Sequence, residues 1–270
     1  MSVYDRIQRG GSLLEECRID IPGGAETEAC DWYPLVMAFS DDAGFSGYIG
    51  EPARLTILYD FPSFSMSTGC SRLYDPESEL YSSFYGAYMV RLESGEPFGF
   101  DESGHADADE VIMVPAFDYQ YLVLDDFGLS REDMVFDCSV TDVREDVRFA
   151  DEEGWTLVRA DLTVNGAAHQ SDGFRRSYLQ YGSPGYDPGP EGPFAPVRMY
   201  GIIAGKYFPD KNMSIFFYVL AADEQAALDT WEDIVSKSSL DWPRQTSGAA
   251  PETERGYQPS SSRITKPAFA

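Results

Sequence analysis

Hydrophobic and polar residues alternate most regularly in the segment 155–164. The even-numbered side chains of this segment are mostly apolar: Thr156, Val158, Ala160, Leu162 and Val164. Arg159 and Asp161 fall on the opposite side. Because successive side chains of a strand point to opposite faces, this period of two predicts a half-buried β-strand. Asn165 and Gly166 follow at once and predict a tight turn at its end.

Further runs of apolar, β-branched or aromatic residues have the length of strands and are bounded mostly by Gly, Pro, Asp or Ser. They are residues 55–61, 84–92, 111–117, 119–124, 134–140, 174–181, 197–208 and 213–221. Residues 208–212 read Phe-Pro-Asp-Lys-Asn, which is typical of a hairpin connection. We therefore expect the two strands that flank this connection to be antiparallel neighbours.

One amphipathic helix is predicted from residue 224 to about residue 239. Asp223 is placed to cap its free amides, and Glu224 adds negative charge at the positive end of the helix dipole. Its apolar residues recur at helical spacing: Ala227, Leu228, Trp231, Ile234 and Val235. We expect this stripe to pack across the sheet, and we predict short helices at 13–18 and 130–135.

Together these elements predict an α+β fold, a mostly antiparallel β-sheet with a C-terminal amphipathic helix packed on it. We assign residues 1–242 to a single globular domain, with a long loop at 182–196 that holds five prolines and four glycines. The segment 243–270 is polar and poor in apolar residues, so we expect a disordered tail.

The charge of the chain, −26 at pH 7, is carried by the predicted domain. Residues 1–242 contain 16 Lys and Arg against 44 Asp and Glu, whereas residues 243–270 contain four against two. A surface of this sign repels the phosphates of nucleic acids and anionic lipids, so we expect neither as a partner. Acids exceed bases by 14 within residues 101–153 alone, which is half of the domain's excess.

This concentration of acids suggests an acidic face that meets a basic protein. The residues that we assign to it are Asp107, Asp109, Glu110, Asp142, Glu145 and Asp146. A non-enzymatic binding or interaction protein is thus the leading functional hypothesis. If the acids scatter over the surface instead, the charge is only a solubility trait.

The N-terminal residues and the lengths of the apolar stretches indicate where the protein is located in the cell. The first residues carry charges and contain no uninterrupted apolar stretch of the kind found in a secretory signal. The longest apolar stretches, 111–117 and 215–222, are far shorter than the roughly 20 residues that cross a bilayer. We expect a cytoplasmic protein, and in such a compartment its four cysteines, which include no C-x-x-C pair, are ordinary thiols.

The segment 67–74, which reads STGCSRLY, resembles the Ser-His-Gly-Cys-x-Arg signature of the L,D-transpeptidases. The resemblance implies a cysteine-dependent acyl transferase with Cys70 as the nucleophile and Arg72 as an anion-binding or orienting group. Thr68 stands where that signature has histidine. The alternative interpretation is a buried cysteine in a turn that follows a strand.

Residues 101–110, which read DESGHADADE, offer oxygen ligands for a divalent cation at Asp107, Asp109 and Glu110. The spacing is not that of an EF-hand, and an exposed acidic loop explains the same residues. No glycine-rich phosphate loop precedes a helix, and we expect no cofactor.

Two further groups of residues suggest ligand sites. The segment 73–88 contains tyrosines interleaved with the carboxylates of Asp75, Glu77 and Glu79, as a carbohydrate site or a carboxylate-based glycan hydrolase would require, and core packing is the competing explanation of the aromatic residues. Arg175 and Arg176, with His169 and Arg198, form the densest positive group, which could bind phosphate or pair with the many carboxylates. An enzyme thus remains the alternative functional hypothesis.

Overall fold

The computed structural model describes residues 12–22, 37–40, 42–60, 77–101, 103–118, 135–166 and 195–242. The strands are β1 Arg18–Asp20, β2 Met37–Ser40, β3 Ala53–Asp60, β4 Phe84–Leu92, β5 Phe136–Phe149, β6 Glu152–Asn165, β7 Pro196–Phe208, β8 Met213–Ala221 and β9 Ser239–Asp241. The α-helices are α1 Asp42–Ile49, α2 Ala108–Asp118 and α3 Glu224–Asp233. Two short 3-10 helices, Ser12–Glu15 and Val235–Lys237, flank the ribbon of β1 and β9.

Seven strands form one antiparallel sheet in the order β2-β3-β4-β8-β7-β6-β5. The hairpin predicted at 208–212 is confirmed: Phe208 opposes Met213, and the amide of Lys211 donates to the carbonyl of Phe208 at 3.0 Å. β1 and β9 form a separate antiparallel ribbon, in which Ile19 opposes Leu240. The predicted fold class, α+β with a mostly antiparallel sheet and a C-terminal helix packed on it, is confirmed.

The central strand β8 is buried on both faces of the sheet, so its sequence is an uninterrupted apolar run rather than an alternating one. Phe216 and Tyr218 point into the first core, which packs against α1 and α2. Phe217 and Val219 point into the second core, which packs against α3 and the β1–β9 ribbon. The sheet is therefore covered by helices on both faces.

The predicted cap of the C-terminal helix is confirmed, because Asp223 Oδ1 accepts a hydrogen bond from the amide of Ala226 at 2.8 Å. The helix α3 ends at Asp233, earlier than predicted, and the chain continues through the 3-10 turn into β9. Trp231 stacks on Phe149 with ring centroids 5.5 Å apart, and this contact joins the helix to the β5–β6 end of the sheet.

The prediction of a strand at 111–117 is wrong, since these residues lie in α2. The helix begins after Asp107, whose carboxylate accepts the amides of Asp109 and Glu110 at 3.1 and 3.2 Å. An apolar run of seven residues fits a buried strand and a buried helix equally well, and the cap decides between them.

The remaining predictions fall into three groups. Strands at 55–61, 84–92, 155–164, 197–208 and 213–221 are present within one or two residues of the predicted bounds at most ends, and the strand predicted at 134–140 is the start of the longer β5. The helix predicted at 13–18 is instead the turn Ser12–Glu15 followed by β1. Outside the described residues lie 119–124, 174–181, the loop 182–194, the tail 243–270 and nearly all of 130–135.

Candidate functional site: an acidic edge strand and a neighbouring groove

Strand β5 forms one edge of the sheet, and among the described strands it pairs only with β6. Three of its large apolar side chains are exposed: Phe136 at 39%, Val140 at 36% and Val143 at 44%. They oppose Val164, Ala160 and Val158 of β6, which belong to the first core. All three therefore lie on the first-core face of the sheet and are exposed there.

The opposite face of β5 carries carboxylates. Asp137 is directly opposite Thr163, and Asp142 is directly opposite Arg159. Asp142 Oδ2 accepts a hydrogen bond at 2.8 Å from Nε of Arg144. The edge strand thus presents exposed apolar side chains on one face of the sheet and acids on the other.

Bulges interrupt the second half of β5. The register with β6 shifts between Val140 and Asp142 and twice more before Phe149, and Asp146 has a left-handed φ of 55°. Residues 136–140 keep a regular register. Since bulges twist an edge away from further pairing, the regular half is the part that can accept another strand.

The acidic loop around residue 101 lies beside β5. Asp101 Oδ1 accepts hydrogen bonds from the amides of Ser103 and His105 at 2.8 and 2.9 Å. The bond from His105 has the larger effect, and both bonds lower the pKa of the Asp101 carboxyl. The His105 ring lies between two acids, with Nδ1 3.6 Å from Asp101 Oδ1 and Nε2 3.9 Å from Glu145 Oε1. Histidine therefore bridges the loop to the edge strand.

The acids at the start of α2 have different roles. Asp107 caps the helix, and Glu110 Oε2 accepts the amide of Gly99 at 2.8 Å, so both carboxylates already serve the backbone. Asp109 is exposed and lies near Cys138 of β5: burial, and next the charge of Asp109, raises the pKa of the Cys138 thiol to about 11. Among the residues that the structure describes, no group of three or more His, Cys, Asp or Glu could hold a metal ion.

The structure thus divides the six acids predicted from the sequence. Asp109 of α2 lies near Cys138 of β5, Glu145 of β5 lies near His105, and Asp142 lies on the face of β5 opposite to Cys138. Asp146 is exposed in a bulge. We call β5 together with Asp109 the acidic edge.

The other predicted sites are placed as follows. Cys70 and Arg72 lie outside the described residues, as do His169, Arg175 and Arg176. The described tyrosines of 73–88 are buried, with Tyr85 1% and Tyr88 0% exposed, so their rings pack in the cores and form no open platform. Within the described part of the chain, no helix is both long enough and apolar enough to cross a membrane.

A groove between α3 and strands β5 to β7 was not predicted from the sequence. It has a volume of about 380 Å³ and opens on the face that carries the second core. Its walls are Thr141, Arg159, Ala160, Asp161, Arg198, Tyr200, Gly201, Ile202, Glu224, Ala227 and Leu228. Arg198 donates to Asp161 Oδ2 at 2.6 Å and lies 4.9 Å from the centre of the Tyr200 ring.

Among the described residues that line this groove, Arg159 has a buried side-chain nitrogen without a bonding partner. Its Nε atom is buried and has no hydrogen-bond acceptor. The alternation in 155–164 correctly places Arg159 and Asp161 on the polar face of their strand. The alternation does not indicate that a helix covers this face, because α3 begins about 60 residues further along the chain.

Comparisons of this chain with protein families, with curated proteins and with solved structures find no match.

Proposed function

We propose that this protein is a binding protein that holds an extended, basic segment of a partner protein along the acidic edge. The observation that supports this function most directly is the exposed outer strand β5, 14 residues long, with apolar side chains on one face and carboxylates on the other. Phe136, Val140 and Val143 are exposed on the edge strand, and a bound segment would cover them.

Backbone pairing supplies the first part of the proposed interaction. An edge strand offers amide and carbonyl groups to a further strand, and residues 136–140 are free of bulges. A segment added there would extend the antiparallel sheet by one strand. Main-chain hydrogen bonds would give affinity, and the side chains on the two faces would give specificity.

The two faces of β5 define the chemistry of the partner. A strand beside residues 136–140 would place every second side chain near Phe136 and Val140, where apolar residues are favoured. An intervening side chain would lie near Asp137, where Lys or Arg is favoured. The proposed partner segment therefore alternates apolar and basic residues, and the net charge of −26 speeds its approach.

Fluorescence anisotropy with a labelled peptide tests the proposal. The probe is a capped heptapeptide of alternating Lys and Val, added to the full chain. We expect binding that weakens steeply with added salt, because the Debye length falls from about 10 Å at 0.1 M to about 3 Å at 1 M. The same peptide with proline in place of its central Val should bind much more weakly, since proline cannot continue a β-ladder.

Charge reversal on the edge gives the matched comparison. Asp137→Lys should weaken binding of the Lys-Val peptide about tenfold or more, as like charges oppose each other across the new strand pair. Glu232→Lys makes the same charge change at an exposed position of α3 and should leave binding unchanged. Equal losses in the two variants, or equal binding of the proline peptide, would show that the acidic edge is not the binding site.

A further inference from the structure

Among the described residues, Arg159 has no counter-ion, although the chain has 46 acids and 20 Lys and Arg residues. Asp142, directly opposite Arg159 on β5, and Asp161, two residues further along β6, both bind other arginines. Asp142 accepts from Arg144 at 2.8 Å, and Asp161 accepts from Arg198 at 2.6 Å. Within the described residues, Arg159 forms no ion pair, and its Nε is buried without an acceptor.

A buried donor that bonds to nothing lowers the stability of a fold, so an acceptor supplied by a ligand would be stabilising at this position. Arg159 is well placed to meet one. It lies in a groove whose apolar floor includes Ile202, its direct neighbour on β7, and Ala227 of α3. Both floor residues are almost fully buried, at 4% and 1% exposure.

The charges around the groove limit what the acceptor can be. Its lining contains two arginines, Arg159 and Arg198, and two carboxylates, Asp161 and Glu224. Arg198 is paired with Asp161, so the remaining charges that the described lining residues contribute are the guanidinium of Arg159 and the carboxylate of Glu224, on a protein of net charge −26. A dianion such as a phosphate monoester would be repelled, whereas a single carboxylate matches the fork of one guanidinium.

We propose that this groove binds a small monocarboxylate, with the ligand carboxylate held by Arg159 and its apolar body lying on Ile202, Ala227 and Leu228. The volume of about 380 Å³ is within the range of small-molecule sites. It corresponds to roughly a dozen water molecules at about 30 Å³ each. A ring or a short alkyl chain fills the apolar half, and Thr141 and Tyr200, which carry hydroxyls, also line the groove.

Calorimetric titration of the full chain with three related probes tests the chemistry. Benzoate carries one carboxylate, benzamide is its neutral analogue, and phenyl phosphate at pH 8 carries two negative charges. We expect benzoate to bind with a millimolar dissociation constant, as is usual for a ligand of this size. Benzamide and phenyl phosphate should bind at least tenfold more weakly. The proposal is overturned if benzoate shows no heat up to about 20 mM, well above that constant, or if benzamide binds equally well.

Two variants separate recognition by Arg159 from a structural role. Arg159→Met should weaken benzoate binding at least tenfold and leave the melting temperature of the free protein equal or higher, because it removes an unsatisfied buried donor. Arg148→Met removes the same charge at an exposed site on β5 and should change the dissociation constant less than twofold. The proposal is overturned if Arg159→Met binds benzoate as tightly as the unchanged protein, whatever its melting temperature.

Discussion

The hydroxyl of Tyr88 satisfies a carbonyl that proline leaves free in helix α2. Pro115 has no amide hydrogen, so the carbonyl of Val111, four residues earlier, lacks its helical donor. Tyr88 Oη donates a hydrogen bond to this carbonyl, and both residues are buried in the first core. The structure therefore predicts that Tyr88 and Pro115 are energetically coupled, although they lie on different elements.

Tyr88→Phe isolates the hydroxyl, because the ring can keep its stack on Phe216, whose centroid is 4.6 Å away. The variant leaves a buried carbonyl unsatisfied, which costs about 1–3 kcal/mol of unfolding free energy. Pro115→Ala supplies a new amide that can donate to Val111, so the loss of the hydroxyl should then cost less than about 1 kcal/mol.

Urea unfolding followed by circular dichroism of the four proteins in the cycle measures this coupling. We expect an interaction energy of about 1 kcal/mol or more, above the roughly 0.5 kcal/mol error of additivity. Tyr207→Phe serves as a control: that hydroxyl donates to Asn212 at 3.1 Å near the surface, where water can replace it. Additive effects of Tyr88→Phe and Pro115→Ala would refute the reasoning.

Three other predictions follow from local contacts. Arg91 donates two hydrogen bonds to Glu16 and lowers the pKa of its carboxyl. Above the ordinary pKa of 4.5, Glu16→Gln should therefore reduce the free energy of unfolding by less than about 1 kcal/mol. Urea unfolding at neutral and acidic pH should show that this difference vanishes as the pH falls through the lowered pKa. Iodoacetamide should alkylate Cys138 roughly a hundredfold more slowly than free cysteine near neutral pH, because a thiol with a pKa of about 11 forms that much less thiolate than one with the ordinary pKa of 9.0. Equal alkylation rates in mass spectrometry would contradict this prediction. A Cβ at Gly205 would lie 2.5 Å from the Phe216 ring, so Gly205→Ala should cost about 1–3 kcal/mol, whereas an unchanged urea midpoint would show that the ring moves aside freely.

The parts of the fold that local chemistry determines could be predicted from the sequence. The Asp223 cap and the 208–212 connection depend on neighbouring residues only, and both are present as predicted. The strand prediction at 111–117 failed because periodicity alone does not distinguish a short buried helix from a buried strand. Helix α1 has no apolar stripe that would predict it from the sequence, because Phe45 is the one fully buried side chain among its described residues and two glycines interrupt it.

The groove could not be predicted because its walls come from distant parts of the chain. The alternation in 155–164 identified Arg159 and Asp161 as residues of the polar face, and the apolar stripe identified Ala227 and Leu228 as residues of a packed helix. That these two pairs face each other depends on how α3 crosses the sheet, which is a tertiary property. The pairing of Asp142 with Arg144, which leaves Arg159 unpaired, likewise depends on the register of β5 against β6.

The acidity of the chain does not have one cause. Asp101, Asp107 and Glu110 accept backbone amides in the loop and helix start beside β5, and these roles would keep acids there in a protein without any partner. Asp109 and Asp146 have no such contact among the described residues, and both are exposed near β5. Stability should therefore respond to changes in the first group and partner binding to changes in the second. Net charge alone, to which each of these acids contributes the same single negative charge, cannot distinguish the two effects.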